Sequence, residues 1–143
     1  VDALVAADAL NVLHVGIGTN DIVPGQEAAF VAALKTYCLA RRTAGWNRIV
    51  VRAVPPTNDG SFTTAAATAN ALIQADPSFY TIFYALPTVL QTYSATYYPD
   101  GKHWSLAGHQ AMHGATAAAI NSALVADALP AGGGSGARIF RGF

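Results

Sequence analysis

The chain has 143 residues, with eight Lys and Arg against eight Asp and Glu, and is 52% hydrophobic and only 11% charged. That length allows one domain with a real core, and that composition excludes disorder over most of the chain. The cations are scattered, with Arg41-Arg42 the one adjacent pair, so there is no basic footprint for nucleic acid. No uninterrupted apolar run reaches about 18 residues, which argues against a membrane span. The single Cys38 excludes an intrachain disulfide and falls on an apolar helical face, as a buried, inert thiol does.

In chain order, Val1 to Ala9 reads as the end of a helix or a helix-plus-turn leading into a strand. Val12 to Ile17 is an apolar run that stops at Gly-Thr-Asn-Asp, the pattern of a buried strand in a parallel sheet. His14 within it is expected to be a hydrogen-bonded core histidine. Gln26 to Ala44 places Phe30, Leu34, Tyr37 and Cys38 on one helical face, and Gly45 ends the helix. Arg48 to Val54 is a second strand, stopped by Pro55-Pro56, and Thr57 to Gly60 reads as a loop. Thr63 to Ala75 is helical, and Thr81 to Leu86 is a third strand.

The segment from Gln91 to His103 is polar, aromatic and turn-rich. Ser105 is a good N-cap for a last helix from Leu106 to about Asp127, with Leu106, Ala107, Met112, Ala117, Ile120, Leu124 and Val125 as its buried side. Residues 130–143 read as a Gly-rich tail after a domain at 1–129. Strands alternating with helices give a parallel α/β sheet. Three strands are few for that architecture, so one or two more are expected before Val1, and the edge beside Val12–Ile17 is expected to be open and prone to aggregation.

Two stretches carry the chemistry. Asn20 follows the first strand, where ligands of open α/β sheets bind, and its amide suits a donor to developing negative charge. Read by itself, the stretch is also an ordinary strand-to-loop turn. Asp100-Gly101-Lys102-His103 precedes the last helix, and a carboxylate three residues ahead of a His can fix its tautomer. That stretch, too, is by itself a common turn with a surface His.

Together, Gly18-Thr19-Asn20-Asp21 and Asp100-Gly101-Lys102-His103, with His103-Trp104-Ser105-Leu106-Ala107-Gly108-His109 opening the final helix, resemble the SGNH (GDSL-like) hydrolase family. The resemblance spans about Val1 to Asp127. It implies a three-layer α/β/α sandwich of SGNH or flavodoxin-like type, incomplete here at the N-terminal side. It implies hydrolysis of acetyl or short acyl esters of sugars or small alcohols, without metal or cofactor. By that resemblance Asn20 is an oxyanion-hole donor, His103 the general base and Asp100 its orienting acid. Gly18, Thr19 and Asp21 support the Asn20 loop, and Trp104 and Pro55 are candidates for contacting substrate.

The family's Gly-Asp-Ser nucleophile block and its second oxyanion-hole block are absent. Ser61, Ser105 and Ser135 lie in the wrong contexts to replace the nucleophile. The partner expected for this chain is therefore the upstream part of the same domain, on the same or a separate chain. The alternative is a non-catalytic structural or carbohydrate-binding module built on the same fold within a larger assembly. His109 and His113 have zinc-ligand spacing, but the run is His-Gln-Ala-Met-His and no third ligand is placed nearby, so packing or surface roles are expected.

Overall fold

The computed structural model describes residues 1–125 and a strand at 137–140. The elements are β1 (Leu10–Val15), α1 (Glu27–Thr43), β2 (Arg48–Arg52), α2 (Gly60–Ala75), β3 (Ile82–Tyr84), α3 (Leu106–Val125) and β4 (Ala137–Phe140), with 3-10 turns at Asp2–Leu4, Pro77–Phe79 and Thr88–Leu90. All strand pairs are parallel, in the order β3-β2-β1-β4. The architecture is a three-layer α/β/α sandwich. The chain winds from β1 through α1 to β2 and through α2 to β3, then returns through α3. No helix among the described residues is long and apolar enough to cross a membrane.

Both faces of the sheet are covered, which explains why β1 and β2 read as apolar runs without alternation. Leu13, Val15, Ile49 and Val51 face a core shared with Phe30, Leu34 and Cys38 of α1 and Ala65, Ala66, Ala69 and Ile73 of α2. Val12 and Val50 face a second core with Tyr84, Tyr98, Met112, Ala119 and Ala123. Burial pushes the Cys38 thiol up to about 11, with Arg42 opposing weakly. His14 Nε2 lies 2.7 Å from the Tyr84 hydroxyl, which in turn meets Thr116 Oγ1 at 3.1 Å, so the histidine of β1 is partnered beneath α3.

The ends of α1 and α2 show how local chemistry sets the boundaries. At the end of α1, Trp46 N donates to Arg41 O and Gly45 N to Arg42 O, a Schellman pair closed by Gly45 at φ +103°. Helix α2 begins at Gly60, three residues earlier than the sequence suggested. The Asp59 carboxylate accepts from Ser61 N and Phe62 N, so the apparent Asp-Gly loop is an N-cap.

Three further expectations are corrected. Tyr37 is on the rim of the α1 stripe, exposed, with the Arg41 guanidinium 5.1 Å from its ring centre. Leu106 and Val125 are exposed at 75% and 77%, because the buried side of α3 runs through Gly108, Met112, Ala119, Ile120 and Ala123 instead. The edge beside β1 is not open over Leu10–Leu13: β4 pairs there, with Leu10 opposite Ala137 and Leu13 opposite Phe140. Four residues behind a glycine run carry too little periodicity to be read as a strand. Residues 130–136 and 141–143 of the expected tail, and residues 126–129 at the end of the expected domain, lie outside the described residues.

Asn11 ties the start of β1 to its surroundings. It is 2% exposed; its Oδ1 accepts from Ala6 N at 3.0 Å, and its Nδ2 donates to Ala6 O, Ala9 O and Gly45 O at 2.9, 3.2 and 3.3 Å. Removing that amide leaves part-buried backbone groups of Ala6, Ala9 and Gly45 without these partners. Asn11→Ala should cost about 2–3 kcal/mol, read as a lowered urea midpoint at unchanged m-value. An unchanged midpoint would contradict the account of this anchor.

Candidate functional site

Beyond the carboxyl end of β1 the chain turns sharply at Gly18. Gly18 has φ +119°, and a Cβ there would lie 2.7 Å from Val54 Cγ2, so both conformation and space demand glycine. Gly18 N donates to Asp21 Oδ2 at 3.0 Å, while Gly18 O accepts from Asp21 N and Ile22 N, each at 3.1 Å. Asp21 thus braces the loop from behind. Thr19 is half-buried in it, and Asn20 is exposed at its crest.

The second stretch is delivered by the long connection from β3 to α3. Tyr98, fully buried, donates its hydroxyl to Leu90 O at 2.7 Å and anchors that connection. Gly101, at φ +85°, makes the turn; a Cβ on it would overlap the Asn58 side chain, and Asn58 N donates to Gly101 O at 2.8 Å. The β2–α2 loop therefore holds the turn that presents His103. At the helix start, Gly108 N donates to Ser105 Oγ at 3.2 Å, and Ser105 Oγ donates to Thr96 O at 2.8 Å. A Cβ on Gly108 would lie 2.9 Å from Tyr97 O, so only glycine lets α3 start this close to the loop.

Within the turn, Asp100 Oδ1 accepts from Lys102 N at 2.9 Å and His103 N at 2.7 Å. Asp100 Oδ2 lies 2.6 Å from His103 Nδ1. A carboxylate only accepts, so Nδ1 carries the proton and Nε2 of the neutral ring is free to accept one. The backbone N–H of His103 first, then its ring and the N–H of Lys102, hold the Asp100 carboxyl well below its ordinary value. The pair is open to water, with side chains 71% and 55% exposed for His103 and Asp100.

The two stretches meet through one contact: Lys102 Nζ donates to Asn20 Oδ1 at 3.1 Å. A second bridge runs below. The Arg52 guanidinium at the end of β2 sits 4.5 Å from the Trp104 ring centre and donates through Nη2 to Gly16 O at 3.3 Å. Burial pulls the Arg52 pKa down, with Tyr84 and Tyr98 opposing, and a guanidinium remains charged under such a shift.

Asn20, Asp100 and His103 are brought to one end of the sheet, with Gly18, Thr19, Asp21 and Trp104 around them. Pro55 is buried in the β2–α2 loop. A cavity of about 280 Å³ lies at the carboxyl ends of β2 and β3, lined in part by Val54, Pro56, Asn70, Phe83, Leu86 and Gln91. Its lining includes neither Asn20 nor His103. His109 stacks edge-on against Trp104 at 5.6 Å and His113 is exposed. No group of three or more His, Cys, Asp or Glu able to hold a metal ion occurs among the described residues.

Sequence reasoning passed over Lys102, Arg52 and Asn58. Lys102 sits inside a motif as apparent filler. Arg52 was visible as a charge at the carboxyl end of a buried strand, where a cation needs a reason.

Comparison with known proteins returned no matching family model, no matching curated protein and no matching solved structure.

A carboxyl held below its ordinary value of 3.8 lends stability to its turn above that pH and loses it only as pH falls through the lowered folded value. Carboxyl carbon NMR should therefore find Asp100 still ionised at about pH 3. A midpoint near 3.8 would show that the turn does not hold its proton off.

Proposed function

We propose that this chain carries the general base, its orienting acid and one oxyanion donor of an SGNH-type serine esterase acting on acetyl or short acyl esters of a carbohydrate or small alcohol. The observation that carries the reading is the junction of two sequence-distant motifs: the hydrogen-bonded Asp100–His103 pair and Asn20, linked through Lys102 at the strand ends.

In this reading the nucleophilic serine comes from a segment upstream of the present sequence. The serines weighed within the described chain are engaged elsewhere: Ser61 Oγ donates to Asp59 Oδ1 at 2.7 Å, and Ser105 caps α3. His103 Nε2 takes the serine proton as Oγ bonds to the ester carbonyl carbon. The carbonyl oxygen becomes an oxyanion that accepts a hydrogen bond from Asn20 Nδ2. The C–O bond to the alcohol breaks, and His103 returns the proton to the leaving oxygen. Water repeats the sequence on the acyl-enzyme, with His103 again taking and returning one proton. Asp100 keeps its charge throughout and stabilises the imidazolium.

The test is hydrolysis of a chromogenic acetyl ester by the full-length protein. His103→Ala should remove nearly all turnover, since both proton transfers pass through the ring. Asn20→Ala should cost roughly 10²–10³-fold in kcat with little change in KM, because its donor acts on charge present only in the transition state. Asp100→Asn should leave folding intact and still slow turnover strongly by releasing the tautomer. His109→Ala, His113→Ala and chelators should change little. Full activity in His103→Ala, or loss on chelation, would overturn the reading. Absence of any hydrolysis would favour the non-catalytic module.

A further inference from the structure

We infer that Lys102 is a positioning residue for Asn20: it fixes which way the Asn20 carboxamide faces and strengthens its N–H groups as donors. The inference rests on the esterase reading for its catalytic consequence, and on geometry for the contact itself.

An ammonium group has three donors and no acceptor. The Asn20 atom 3.1 Å from Lys102 Nζ must therefore be the carbonyl oxygen, since the reverse orientation would set NH₂ against NH₃⁺. That pins Nδ2 at the other branch of the planar carboxamide, turned away from the ammonium. An exposed asparagine would otherwise sample both orientations, and a donor that faces the reacting oxygen only part of the time stabilises it less. A charge-assisted bond to the carbonyl also polarises the amide and makes its N–H groups better donors.

Lys102 is suited to this because its root is fixed. Its backbone N–H donates to Asp100 Oδ1, the oxygen that also takes the His103 N–H. The preceding Gly101 is held by Asn58. The ammonium thus reaches Asn20 from the same rigid turn that presents His103, and one short loop sets both the base and the oxyanion donor. The lysine is half-buried, and its bond to Asn20 lies at the surface.

The contact is read first without catalysis. In protein carrying ¹⁵N-asparagine, the Asn20 carboxamide signals, assigned with Asn20→Asp, should move in Lys102→Met and stay near their wild-type positions in Lys102→Arg. The His103 ring signals should be unchanged in both, which separates this effect from disruption of the turn. In the full-length protein, acetyl ester hydrolysis by Lys102→Met should show kcat lowered about three- to tenfold at nearly constant KM, with Lys102→Arg recovering most of the loss. Unmoved Asn20 signals in Lys102→Met would overturn the inference, as would a kinetic loss confined to KM or one that arginine does not restore. If the wild-type protein hydrolyses no ester, the esterase reading fails, and the carboxamide signals still decide whether Lys102 orients Asn20.

Discussion

The Asp100 carboxylate is the constraint on which the site depends. One oxygen collects two successive backbone N–H groups, and the other takes the imidazole proton. This does in one residue what would otherwise need a turn and a separate partner for the histidine. It also explains why an exposed pair is ordered at all. An isolated ion pair in water contributes little, but here the same carboxylate closes the turn, so the ring is oriented by local backbone geometry. The turn itself aims Nε2, and the bond from Asn58 N to Gly101 O ties that turn to the β2–α2 loop.

The fold supplies the rest by bringing short loops to the carboxyl ends of parallel strands, where α/β sheets place ligands. Glycine governs how closely those loops pack. Gly18 lies against Val54, Gly101 against Asn58, and Gly108 against Tyr97 O and Trp104. Each is a place where a side chain would push apart two segments of the site. The β2–α2 loop is the common support: Val54 backs the Asn20 loop, and Asn58 backs the Asp100–His103 turn. Arg52 adds a third tie, joining Gly16 to Trp104 through a hydrogen bond and a cation–π contact.

Much of this was legible in the sequence because it is local. The strands β1 to β3 and the helices α1 to α3 follow from apolar runs, stripes and stops. The Asp100–His103 contact follows from a three-residue spacing. What was missed depends on partners far along the chain or on phase. Leu106 was expected in the core because it opens an apolar helix, yet the cap at Ser105 and the close approach at Gly108 rotate it outward. Asp59-Gly60 reads as a loop until its carboxylate is seen capping α2. Pairing of β4 with β1 is a contact between the two ends of the sequence, and its four residues have no periodicity of their own. Lys102 and Asn20 are 82 residues apart, and neither residue type announces the other.

The central proposal is that His103 activates a serine near the carboxyl ends of the strands. Treating the full-length protein with a fluorophosphonate and locating the adduct by mass spectrometry tests it most directly. The account predicts one modified serine, on a segment outside the described site, with labelling abolished in His103→Ala. No adduct, or labelling that proceeds equally without His103, would contradict it.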